Sequence, residues 1–200
     1  MPSAPRILIR IAALVGFFGA AGIPGGCHVA GGSSPTFRAV SQTGDAVFEP
    51  VIRTAVYKKL DANTASIILS DMPEADLESR LAGGAPGMPG AVLHLQMFVQ
   101  PYAGRTPVAS SACNTSITLV IFSGESMGVY GGGGFMFPSS AVGDATFSAR
   151  MSGATMRLLS AGDGFADRLG LAEAGGRVNA RRDDELADAI NSRLTMLLAR

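Results

Sequence analysis

Ala91-Val-Leu-His-Leu-Gln-Met-Phe-Val99 alternates without a break. Leu93, Leu95, Met97 and Val99 fall on one face, and His94, Gln96 and Phe98 fall on the other. A period of two places successive side chains on opposite sides of an extended chain, so one side can enter a core while the other meets water. Residues 114–122 repeat the pattern, with Ile117, Leu119 and Ile121 opposite Thr118, Val120 and Phe122. Ser123-Gly-Glu-Ser126 then predicts a tight turn, and Met127-Gly-Val-Tyr130 a segment that pairs back. Strands joined by short turns are antiparallel, because a parallel pair needs a long crossover.

The same texture continues outward in both directions. Residues 36–40 and 46–48 read as short strands. Residues 52–59 alternate, with Ile52, Thr54 and Val56 on one face. Asp61-Ala-Asn63 is turn chemistry, since Asp and Asn side chains satisfy nearby backbone groups. The β-branched run 64–70 completes a hairpin. Residues 74–81 predict one or two helical turns, with Leu77 and Leu81 four apart, and the Gly/Pro-rich stretch 83–90 predicts a loop. Towards the C-terminus, 145–150 and 154–159 alternate around Met151-Ser-Gly153 and read as a further hairpin. Residues 161–176 read as a loop that Phe165 and Leu169 plug onto the sheet, followed by a short last strand at 177–180. Residues 183–199 predict a helix: Leu186, Ile190, Leu194 and Leu197 form one apolar stripe, with Asp183, Asp184 and Glu185 in the first turn, where the helix dipole favours negative charge. The expected fold is mainly β: an antiparallel β-sandwich or single sheet of about seven to nine strands, with one C-terminal α-helix packed on it.

The N-terminal segment has a different character. Arg6 and Arg10 precede the uncharged run 11–23, which is followed by Pro24, Gly25, Gly26 and Cys27. A basic start, a short apolar core and small residues at its exit are the marks of a secretory signal peptide. The run is shorter than the roughly 20 residues that a membrane-spanning helix needs. Ile23-Pro-Gly-Gly-Cys27 resembles the lipobox of bacterial lipoproteins, although Pro24 stands where that class usually has an aliphatic residue. The resemblance implies cleavage before Cys27, a diacylglycerol on its thiol, and a protein anchored to a membrane facing the periplasm or the cell surface. The other reading is ordinary secretion, with cleavage near Ala20-Ala21-Gly22 and Cys27 paired with Cys113. The expected organisation is a signal peptide at 1–26, a Gly/Ser-rich flexible tether at 27–36 and the β domain at 37–200.

Composition narrows the function classes. Cleavage before Cys27 leaves 174 of 200 residues, enough for one domain with its own core. Of 16 basic residues, removing Arg6 and Arg10 leaves 14 against 16 acidic, a net charge of −2. No charge excess points to nucleic acid. Two cysteines make no disulfide framework.

No set of residues is assigned a catalytic, cofactor-binding or metal-ligating role. Gly131-Gly-Gly-Gly134 is followed by Phe135-Met136, where a phosphate loop needs Lys and then Ser or Thr. The run therefore reads as a bulged strand or a close backbone approach. His28 and His94 have no metal-ligand spacing, and Asp163-Gly-Phe-Ala-Asp167 offers a calcium loop only two acids. His94 beside Cys113 or a serine is the one arrangement that would suit nucleophilic chemistry, and Asp144 with Asp163 or Asp167 the one carboxylate pairing. Asn114-Thr-Ser116 matches a glycosylation sequon by sequence alone. Tyr130, Phe135 and Phe137, beside open glycine backbone, form a possible ligand patch. The expectation is a non-catalytic envelope lipoprotein acting as a structural or interaction module, partnered by an envelope protein or a glycan. The alternatives are a glycan-type ligand-binding domain and a small envelope hydrolase.

Overall fold

The computed structural model describes residues 33–99 and 113–199. The expected signal peptide at 1–26, Cys27, His28 and the connection 100–112 lie outside the described residues. The described residues are mainly β, with nine strands in one sheet and two helices. In chain order these are β1 (Thr36–Ser41), β2 (Val47–Phe48), β3 (Thr54–Lys59), β4 (Ala65–Ser70), α1 (Glu74–Leu81), β5 (Gly90–Met97), β6 (Thr115–Ser123), β7 (Ser126–Pro138), β8 (Thr146–Ala161), β9 (Ala172–Arg182) and α2 (Asp184–Leu198).

The strand order is β2-β1-β9-β3-β4-β5-β6-β7-β8, and β9 also pairs with β8. β9 therefore has three neighbours. Along one edge it pairs with β8, and along the other it pairs first with β1 and then, through Arg181 and Arg182, with Val56 and Tyr57 of β3. The two-residue contact with β3 is parallel and every other pairing is antiparallel. Following the pairs from β3 to β9 returns to β3, so of the two expected arrangements, sandwich or single sheet, the strands form a single sheet, and it closes on itself. Closure pairs the strands from β3 to β9 on both sides and leaves β1, with the two-residue β2, as the remaining edge.

The sheet has a core on each face. Leu93, Leu95 and Met97 of β5, Ile117 and Leu119 of β6, and Tyr57 and Phe147 pack inside with small residues such as Ala149, Ala154, Ala174 and Ala180. Val56, Ile68, Val92, Val120 and Phe122 face outward and are covered by Leu77 and Leu81 of α1 and by Ala187, Ile190 and Leu194 of α2. β4 lies between the two cores and is buried along its whole length. This explains why its centre, Ile67-Ile68-Leu69, is apolar on both faces rather than alternating.

α2 begins where the sequence predicts. Asp183 caps it by accepting the Leu186 N–H at 3.0 Å, which satisfies one donor the helix leaves unpaired. Lys58 of β3 reaches Asp188 at 2.6 Å, and Arg193 donates to the Glu78 carbonyl of α1 at 3.0 Å.

Two expectations require correction. Residues 145–150 and 154–159 are not a hairpin but one strand, β8. Gly153, with φ of +61°, forms a bulge there, and the register with both β7 and β9 shifts at that point. The extra residue inverts the alternation, so Met151 and Ala154, three apart, both point inward. The last strand also begins earlier than 177. Gly175 and Gly176 lie inside β9, where a Cβ on Gly176 would collide with the Thr36 carbonyl of β1.

Candidate functional site

The glycine run lies inside β7, in a segment bulged against β8. A Cβ on Gly132 would collide with the Thr155 carbonyl oxygen, and one on Gly134 with Ala154. These glycines admit the close backbone approach that two register shifts impose, one between Val129 and Tyr130 and one between Gly133 and Phe135.

The structure separates the three aromatic residues of the expected patch. Tyr130 is 1% exposed and belongs to the inner core, so it offers no ring face to a ligand on the outer surface. Phe135 and Phe137 are two apart on the outward face of β7. Their rings stack with centroids 5.8 Å apart and planes 22° from parallel, and Phe137 is 44% exposed.

Register extends this pair into a row across the sheet. Phe137 of β7 lies opposite Arg150 of β8, Arg150 lies opposite Arg177 of β9, and Arg177 lies opposite Thr36 of β1. Both arginines are exposed. Neither makes an ion pair among the described residues, whereas nearby Arg38 meets Glu49 at 3.5 Å. Like charges directly opposite one another on a sheet are unfavourable. The row thus joins an exposed aromatic stack to two guanidinium groups without an ion pair among the described residues, beside the point where the chain enters the sheet. An open groove of about 970 Å³ covers the Arg150–Arg177–Thr36 part of this row, lined by Arg38, Arg150 and Arg177, by Glu49 and Glu173, and by the backbone of Gly175 and Gly176. Guanidinium groups present planar donors to carboxylate or phosphate, and aromatic rings offer flat apolar faces. Sequence reasoning identified the two phenylalanines and missed the arginines, which become neighbours only through long-range pairing.

The other candidate residues have structural partners. His94 is partly buried on β5, and its Nε2 lies 2.9 Å from the Ser66 hydroxyl of β4. Burial pulls its pKa below the usual histidine range, which favours the neutral ring. Ser66 is itself 4% exposed, and neither residue lines the groove described above. Cys113 is exposed just before β6, beside Gly133. The Asp167 carboxylate accepts the Tyr130 hydroxyl at 2.7 Å and the N–H groups of Leu169 and Gly170 at 3.1 and 2.9 Å. Asp163 contributes its carbonyl to Ser126. Asp144 accepts the Ala141 N–H in the turn before β8, whereas Asp163 and Asp167 follow that strand, so its sixteen residues separate the carboxylates. Asn114 is 4% exposed and spends its side chain on Val99 and Met136. Among the described residues, no group of three or more His, Cys, Asp or Glu is placed to hold a metal ion.

Comparison with protein-family models, with curated proteins and with solved structures finds no match to this chain.

Proposed function

We propose that this protein is an exported lipoprotein of the bacterial cell envelope. Its acylated Cys27 moors it to a membrane, and its β domain serves as a non-catalytic interaction module. The basic start, short apolar run and Cys27 support the anchor. The row Phe137–Arg150–Arg177 carries the interaction reading, because exposed like charges and an exposed ring stack are features that packing alone does not require. The Ser33 carbonyl accepts the Asn179 amide at 3.0 Å, so the chain already lies against β9 six residues after Cys27. A tether of that length reaches roughly 15 Å, which would keep this face within range of the envelope layer next to the membrane. The test is membrane partition. Wild type is expected to sediment with membranes and Cys27→Ala to be soluble, and equal partition would contradict the anchor.

The Phe135–Phe137 stack favours a glycan as partner, one carrying carboxylates for Arg150 and Arg177. Cosedimentation with purified cell-wall glycan tests this. Phe137→Ala and Arg150→Thr are each expected to reduce the bound fraction several-fold, and binding indifferent to both would remove the glycan reading.

A further inference from the structure

A second cavity, of about 570 Å³, lies where the C-terminal end of β6 meets β2 and the loop 162–171. Its volume falls in the range of roughly 300–1,000 Å³ typical of small-molecule sites, and mouths of closed β-sheets are a recurring place for them. Phe48, Ile121, Tyr130, Phe165 and Leu169 supply most of its wall.

That wall is built rather than incidental. Phe165 fills the space over Gly128, where any Cβ would collide with its ring. The same ring meets Tyr130 edge-on, with centroids 6.3 Å apart. Asp167 fastens the loop from below through Tyr130, Leu169 and Gly170. The charge at the rim is Arg168. It is exposed and makes no ion pair among the described residues, and the neighbouring Asp167 carboxylate turns its Oδ1 to Tyr130, Leu169 and Gly170. The rim also carries exposed apolar surface, with Val47 49% accessible.

We propose that this cavity binds an apolar monoanion, a medium-chain fatty acid being the simplest, with the chain against Phe48, Ile121 and Leu169 and the carboxylate on Arg168. An apolar wall with a single unneutralised guanidinium at its edge suits one anionic head and no second charge. The site is distinct from the Phe137–Arg150–Arg177 row and does not depend on acylation of Cys27.

The experiment is titration of the protein, purified in the form that cells accumulate, with a fluorescent fatty acid, followed by displacement with decanoate or decanol. Saturable micromolar binding is expected, with amide shifts on adding decanoate confined to β2, the end of β6 and the loop 162–171. Arg168→Glu should weaken decanoate at least tenfold and leave decanol within about twofold. Ala166→Trp, which places a ring in the cavity, should abolish both. Absence of saturable binding, shifts elsewhere, or equal loss of decanoate and decanol in Arg168→Glu would each overturn the assignment.

Discussion

Asp167 and Tyr130 are the pair on which the loop 162–171 depends. Burial opposes ionisation of Asp167, but the Tyr130 hydroxyl and the N–H groups of Gly170 and Leu169 outweigh it and hold the carboxyl below its usual range. Burial and the adjacent carboxylate push the Tyr130 phenol above its own. A depressed carboxyl pKa stabilises the fold fully above the unfolded value near 4 and loses that contribution as pH falls through the folded value. Asp167→Asn should therefore flatten the acid limb of a stability-versus-pH curve measured by urea unfolding. Tyr130→Phe should cost about 1 kcal/mol at neutral pH. His94 has a linkage of the same sign at higher pH, although here burial of the ring is the cause. Its folded pKa lies below the unfolded value of about 6.5, so the unfolded chain takes up the proton first and stability falls as pH drops below that point. His94→Gln should remove this decline, and the same unfolding series measures it. A Ser66–His94 pair acting in catalysis would instead be labelled by a serine-directed phosphonate, and no labelling is expected.

At the scale of elements, β7 and β8 show what local pattern conveys and what it omits. The periods of β5 and β6, the β3–β4 hairpin, the two leucines of α1 and the capped stripe of α2 were all legible, because each is set by residues within one or two turns of chain. The bulge at Gly153 was not. A glycine between two alternating runs signals a hairpin turn or a bulge equally well, and only the pairing of β8 with both β7 and β9 decides between them. The patch was half legible for the same reason. Phe135 and Phe137 share a face by alternation and Tyr130, an odd number of residues away, falls on the other, whereas only long-range pairing brings Arg150 and Arg177 alongside. Gly132→Ala should destabilise the domain by about 1–3 kcal/mol through overpacking against the Thr155 backbone. Gly44→Ala, whose added methyl would meet only ordinary contact, should not, and thermal melts of the two variants compare them directly. Asp183→Ala should cost about 1 kcal/mol by removing the α2 cap.

For the molecule as a whole, closure through β9 leaves one outward region under the two helices and another, across β7, β8 and β9, that displays arginine and aromatic side chains. The helices are spent on covering Ile68, Val92 and Val120, which leaves the other side for the recognition proposed above. Arg150→Thr relieves a like-charge contact and should not lower stability, which separates any loss of binding from loss of fold. Among the described residues no helix is long and apolar enough to cross a membrane, and the proposed attachment rests on Cys27. Intact-mass analysis of the protein recovered from membranes tests that attachment most directly. The account predicts a chain beginning at Cys27 and heavier than its sequence by the mass of diacylglycerol and any further acyl group, a form lost in Cys27→Ala. An unacylated chain cut upstream of Cys27, with Cys27 and Cys113 joined in a disulfide, would contradict it.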